Sequence, residues 1–230
     1  MLRLVPLVAL SLAAAAPAQE APGYSFRERT RALAFDAGRF FAATPEPMIA
    51  IRSDGDTFGL PLYALALRPG CNPADSAASR ADCSRRIVAR MVRAILPAAA
   101  TERHLRGQRL FTALERARPD DDDALRRTLD SAGLEWVEAD VRQCAPAMAH
   151  LATLQEVRFV PSLDLDRPIF EMTSHADQIR VDVHHGLVRS RYEGWAKPGT
   201  AGAWASDFAK SLEGCWKPAT APVPWRVVVR

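Results

Sequence analysis

The first eighteen residues decide which part of this chain folds and in which environment it does so. Met1-Leu2-Arg3 supplies a basic start, and an apolar run follows from Leu4 to Ala16. Ala16-Pro17-Ala18 then matches the A-x-A pattern of a signal-peptidase cleavage site. The run is shorter than the roughly 20 apolar residues that span a bilayer. We therefore predict a signal peptide over 1–18 and a periplasmic or secreted chain from Gln19; an uncleaved anchor or a buried helix is the alternative.

The composition of the chain is that of an ordinary globular protein. Hydrophobic residues make up 48% of it and charged residues 25%, which are common values for a soluble domain. The formal net charge is +3, and no dense Lys/Arg block indicates a nucleic-acid partner. After the leader no apolar run reaches the length of a transmembrane segment. Residues 19–230 are thus predicted to form a single exported domain with its own core.

Four cysteines follow the leader, namely Cys71, Cys83, Cys144 and Cys215. An even number in an exported chain favours two disulfide bonds, for which three connectivities exist. We predict Cys71–Cys83, which would close a local loop, and Cys144–Cys215, which would join two helix ends. No C-x-x-C pair occurs, so neither a thioredoxin-like redox site nor a zinc knuckle is indicated.

Helical signals dominate the first two thirds of the chain. Ser25–Glu28 is a capping box, and the four aspartates at 120–123 suit the first turn of another helix better than a calcium loop. Helical spacing after Pro146 and around Trp204 predicts two more helices. The clearest amphipathic stripe consists of Ile87, Val88, Met91, Val92 and Ile95. We predict that this stripe is a helix ending before Pro97.

Two stretches leave the choice of secondary structure open. Met48–Leu67 contains two apolar runs around a turn signal and fits a β-hairpin, but Pro61 is equally suited to open a short helix. Residues 135–141 are ambiguous between strand and helix. Neither stretch changes the predicted fold class.

A β-hairpin is indicated in the last third of the chain. Ile179, Val181 and Val183 alternate with polar residues, as in a half-buried strand, and His185-Gly186 suits a two-residue turn. That turn would pair Val183 with Val188 and Ile179 with Tyr192, and a third strand is expected at Phe170–Thr173. The predicted fold class is therefore α+β, a single disulfide-stapled domain of helices plus an antiparallel β-meander in the C-terminal third.

The predicted register creates one electrostatic conflict. It places Arg180 directly opposite Arg191 with Arg189 nearby, and like charges facing each other across strands are unfavourable. A bound carboxylate would relieve the repulsion and suit the fork of N–H groups on each guanidinium. Arg180, Arg189 and Arg191 are thus the candidate anion-binding face.

An acid and histidine group on the same hairpin face supplies the catalytic alternative. Asp182 and His184 point the same way, and Glu171 would join them if the third strand pairs in register. Such a group is able to bind a divalent metal or to act as acid and base in a hydrolase. Asp182 is also explained as the cross-strand partner of Arg189, a common pairing on exposed strands.

Familiar catalytic motifs are missing from the sequence. It contains no G-x-S-x-G elbow, no S-x-x-K, no H-E-x-x-H, no Walker A loop and no G-x-G-x-x-G. We therefore expect a non-enzymatic binding or envelope-accessory protein, without a cofactor or a metal. Its partner would be an unidentified protein or a small anionic ligand.

Overall fold

The computed structural model describes residues 22–41, 47–70, 86–96, 105–159 and 177–227. The predicted leader, Cys71, Cys83 and Glu171 lie outside these ranges, as does the predicted third strand at 170–173. None of the helices in the described ranges combines the length and apolarity needed to cross a bilayer.

In the described part of the chain, seven strands form one antiparallel sheet. The strands are Ile49–Asp54 (β1), Pro61–Pro69 (β2), Ile87–Ala94 (β3), Leu134–Asp140 (β4), Gln178–His185 (β5), Val188–Trp195 (β6) and Lys217–Pro218 (β7). Their order across the sheet is β6-β5-β1-β2-β3-β4-β7. The fold is thus α+β, as predicted, but the sheet draws on most of the chain rather than on its C-terminal third.

Within the described residues, five α-helices cover the two faces of the sheet. They are Pro22–Ala34 (α1), Gln108–Ala117 (α2), Asp122–Ser131 (α3), Ala145–Ala152 (α4) and Ala201–Ser211 (α5). Helices α1, α2 and α3 contribute to one core with Ala64, Ala66 and Val92 of the sheet. Helices α4 and α5 contribute to the other core, in which Trp204 stacks on Phe208 with 5.3 Å between ring centroids. The protein therefore has two hydrophobic layers, one on each side of the sheet.

The predicted helix over Ile87–Ile95 is wrong, because Ile87–Ala94 is strand β3. Both faces of this strand are covered, with Met91 in one core and Val92 in the other. A strand buried on both faces loses the apolar-polar alternation that would distinguish it from a buried helix. Two arginines of the strand pair with carboxylates on β4, Arg90 with Glu138 at 3.3 Å and Arg93 with Glu135 at 2.6 Å.

Several local predictions are confirmed. For residues 48–67, where the sequence left hairpin and helix open, the structure has the β1–β2 hairpin, with Pro61 as the first residue of its second strand. Asp121 caps helix α3 by accepting a hydrogen bond of 2.6 Å from the Ala124 amide. Cys144 and Cys215 form a disulfide bond that ties the start of α4 to the segment after α5.

Candidate functional site

A groove of about 800 Å³ lies beside helix α1 on strands β1, β5 and β6. Helices α2 and α3 pack farther along the same sheet face, over β2 to β4, so this end of the face is left partly open. We call the site the arginine groove, after the five arginines that line it. They are Arg31, Arg52, Arg180, Arg189 and Arg191.

The floor of the arginine groove consists of side chains that alternate with the core residues along the strands. Ile51 and Val181 point into the core under α5, so the alternating residues Arg52, Arg180 and Asp182 point to the α1 side. Four of the arginines stand on this floor, and Asp182 is the one carboxylate among the floor residues lining the groove. The floor therefore favours an anion.

Two aspartates each hold two arginines around the groove. Asp54 accepts from Arg52 at 2.8 Å and from Arg31 at 3.4 Å. Asp182 accepts from Arg180 at 3.1 Å and from Arg191 at 2.5 Å. One carboxylate neutralises only one guanidinium, so the cluster of Arg31, Asp54 and Arg52 keeps a positive charge. The hydrogen bond from Arg191 to Asp182 raises the pKa of Arg191 and keeps this guanidinium protonated. In the cluster around Asp182, Glu193 lies opposite Arg180 and close enough to raise the pKa of Arg191 further, so it offsets part of the excess charge.

The structure corrects the register of the β5–β6 hairpin by two residues. Val183 pairs with Ser190 rather than Val188, because the turn is Gly186-Leu187 and His185 pairs with Val188. Gly186 has φ of +60°, a conformation that glycine adopts without strain. A shift of two residues leaves every side chain on its predicted face. Arg180, Arg189 and Arg191 therefore remain on one side of the hairpin.

The pairings on that face change with the register. Asp182 lies opposite Arg191 instead of Arg189, and Arg189 lies opposite His184. Arg180 lies opposite Glu193, so its predicted opposition to Arg191 is wrong. On the other side, however, β5 pairs with β1 and places Arg180 directly opposite Arg52. A like-charge juxtaposition thus exists, with a different partner from the one the sequence predicted.

Sequence reasoning missed the contribution of β1 and α1 to the groove. Neither Arg52, which lies in the segment Met48–Leu67, nor Arg31 is among the residues predicted for the anion-binding face. The local signal for Arg52 was its position two residues before Asp54, which puts both side chains on one strand face. The wall also carries Glu28 and Asp36, so it has mixed charge whereas the floor is mainly basic.

The groove brings together two members of the predicted catalytic group, Asp182 and His184. Both carboxylate oxygens of Asp182 already accept hydrogen bonds from arginine Nε atoms. A general base needs an oxygen directed at the substrate, and here both are directed at guanidinium groups. Among the described residues, no set of three His, Cys, Asp or Glu side chains is placed to hold a metal ion. We therefore infer that Asp182 holds Arg180 and Arg191 in position and does not act as a base.

The tryptophans divide between core and surface. Trp204 and Trp225 are buried, whereas Trp195 is 43% exposed. Comparison of the chain with protein-family models, curated proteins and solved structures found no match. The fold and the groove therefore define the chain as an antiparallel α+β protein with a basic surface cleft.

Proposed function

We propose that this protein is an exported, non-enzymatic binding protein that holds a small anionic ligand in the arginine groove. The single observation that carries the proposal is the floor, where four arginines line the groove with Asp182 as the one floor carboxylate. A groove of about 800 Å³ falls within the roughly 300–1,000 Å³ of small-molecule sites.

The chemistry of the floor suits a carboxylate or phosphate group. Guanidinium groups present several N–H donors in one plane and recognise both anions with paired hydrogen bonds. Arg52 and Arg180 are 28% and 30% exposed, so their charges are partly desolvated but still accessible. Partial desolvation strengthens a charge interaction relative to one on the open surface. The ligand's anionic group is accordingly expected between these two side chains.

Calorimetric titration with inorganic phosphate and with citrate at low ionic strength tests the proposal. We expect both anions to bind the mature protein and the Arg180→Gln/Arg189→Gln/Arg191→Gln variant to bind at least tenfold more weakly. The matched control is Arg116→Gln/Arg142→Gln/Arg158→Gln, which removes the same charge from exposed positions. Equal losses in the two triple variants, or no binding by the unaltered protein, would overturn the proposal.

Export is tested separately, on the full chain expressed with its own leader. Cell fractionation followed by N-terminal sequencing should place the protein outside the cytoplasm with Gln19 as its first residue. A cytoplasmic protein that retains Met1 would contradict the export half of the proposal and leave the binding half unaffected.

A further inference from the structure

A second cavity lies on the opposite face of the sheet from the arginine groove. Its volume is about 420 Å³, and it sits between strand residues that include Ser53 and Tyr63 and the side of helix α5 that carries Ser206 and Ala209. We call it the tyrosine pocket. Its lining also includes the apolar residues Met91, Ile179 and Trp195 and the basic residues Arg106 and Lys197.

The base of the tyrosine pocket is a pair of hydroxyl groups set in apolar surroundings. Ser53 and Tyr63 are directly paired across β1 and β2, and their side chains are hydrogen-bonded. Ser53 is only 2% exposed, although it is polar. Burial raises the pKa of Tyr63, and the nearby Asp177 carboxylate raises it further. The phenol thus stays neutral and keeps its proton.

The apolar part of the lining is suited to a hydrophobic body. Met91 and Ile179 are buried members of the core under α5, and Leu62 is largely buried. Trp195 adds to this apolar surface and, as a residue, is 43% exposed. Pockets with an apolar lining and a few convergent polar groups are typical of small-molecule sites.

Cationic side chains surround the mouth of the pocket. Lys197 places its Nζ 5.3 Å from the centroid of the Trp195 ring, and Arg106 lies close enough to lower the pKa of Tyr63. Of the two carboxylates in the lining, Glu213 is held by Arg93 at 2.7 Å. Lys210 is held by Asp207 at 2.8 Å. By count, the lining carries three cationic residues, Arg106, Lys197 and Lys210, against two carboxylates, Asp177 and Glu213, which is an excess of one positive charge.

We propose that the tyrosine pocket is a second binding site, for a small amphipathic anion. The apolar body of the ligand lies against Met91, Ile179 and Trp195, and its single acidic group is directed at Arg106 and Lys197. The site is distinct from the arginine groove, since the two share no lining residue and lie on opposite faces of the sheet.

Two fluorescent probes with the same apolar rings test this proposal. The first is 8-anilinonaphthalene-1-sulfonate, which carries one sulfonate, and the second is its neutral analogue N-phenyl-1-naphthylamine. We expect the folded protein to bind both and to bind the sulfonate at least tenfold more tightly. Arg106→Gln/Lys197→Gln should weaken sulfonate binding about tenfold and leave the neutral probe unchanged.

Ser206→Phe should block both probes, because position 206 lines the pocket from a partly exposed site on α5. Ser131→Phe, which adds the same ring to the exposed surface of α3, is the matched control. Circular dichroism and the melting temperature establish that each variant is folded.

Three results would overturn the tyrosine pocket as a site. They are the absence of probe binding, binding that Ser206→Phe does not reduce, and a sulfonate preference that survives Arg106→Gln/Lys197→Gln. Loss of sulfonate binding in the Arg180→Gln/Arg189→Gln/Arg191→Gln variant would move the probe to the arginine groove. The groove itself is judged by phosphate and citrate, so the two proposals fail independently.

Discussion

Arg52 and Arg180 lie directly opposite each other on the adjacent antiparallel strands β1 and β5. Each bonds to an aspartate two residues along its own strand, Asp54 and Asp182 respectively. Because the strands are antiparallel, Asp54 and Asp182 lie on opposite sides of this arginine pair, and each holds one guanidinium. The two arginines are thus fixed side by side on the floor of the groove, each with its own carboxylate partner.

Replacing Asp182 tests whether its carboxylate holds Arg180 and Arg191 in position. Asp182→Asn should lower the urea midpoint, because Arg180 and Arg191 lose their shared partner, and should strengthen phosphate binding severalfold. Asp207→Asn is the matched control, since Asp207 forms an exposed pair with Lys210 far from the groove. A weaker affinity for phosphate after Asp182→Asn would show that Asp182 helps to bind the ligand.

The sequence predicted best those features that adjacent residues determine. The aspartates at 120–123 mark the start of helix α3, and a hairpin turn that contains Gly186 joins β5 to β6, although the turn is Gly186-Leu187 and not the predicted His185-Gly186. Strand β3 was wrongly predicted as a helix. Because both of its faces are buried, its sequence lacks the alternation of apolar and polar residues that indicates a strand. The pairing of β1 with β5 could not be predicted either, since nothing near Arg52 indicates a partner as distant as Arg180.

Only the part of the candidate site that lies within one hairpin was predicted from the sequence. Arg180, Arg189 and Arg191 share a strand face in either register, because a shift of two residues preserves the alternation. Arg31 and Arg52 reach the site only through tertiary packing. The predicted conflict between like charges was therefore a sound argument applied to the wrong pair.

The disulfide bond should contribute strongly to stability. Cys144 and Cys215 are separated by 71 residues, and closing a loop of that length removes about 4 kcal/mol of denatured-state entropy in the chain-entropy treatment. Cys144→Ala/Cys215→Ala should therefore unfold at a much lower urea concentration. The free energy of unfolding, measured without reductant for both proteins, checks this; a difference below about 1 kcal/mol would contradict the entropic account.

Helix α5 lies close to the end of strand β6 at Gly202, and a substitution of this residue tests that contact. A Cβ at this position would lie 2.9 Å from the Trp195 carbonyl oxygen and 2.9 Å from Tyr192 Cε1. Alanine normally stabilises a helix by about 1 kcal/mol relative to glycine. Here we expect Gly202→Ala to destabilise the protein by about 1–2 kcal/mol through overpacking.

Gly214→Ala is the control for that comparison, because a Cβ at position 214 meets nothing within 4 Å. Its free energy of unfolding should change by less than about 0.5 kcal/mol. If Gly202→Ala proved stabilising, helix α5 would have to lie farther from Trp195 than the structure places it.

Tyr63 should make the free energy of unfolding vary with pH in the alkaline range. Its pKa is raised by burial above the ordinary value of 10.0, so the folded state holds the phenol proton more tightly than the unfolded state. The resulting stabilisation is complete below about pH 10 and is lost as the pH rises through the folded-state pKa.

Tyr63→Phe removes this titration together with one hydrogen bond to Ser53. The variant should be about 1 kcal/mol less stable at pH 7, and the deficit should shrink above pH 10. Urea midpoints at pH 7, 9 and 11 provide the measurement. Parallel pH profiles for the two proteins would refute the expected role of Tyr63.

The arginine groove is assembled from distant parts of the chain. Helix α1 and strand β1 come from its beginning, whereas β5 and β6 lie in its last quarter. A chain that stops before residue 178 therefore has the wall and Arg52 but lacks most of the basic floor. If the arginine groove binds an anion as proposed, that anion will stabilise only chains that contain β5 and β6.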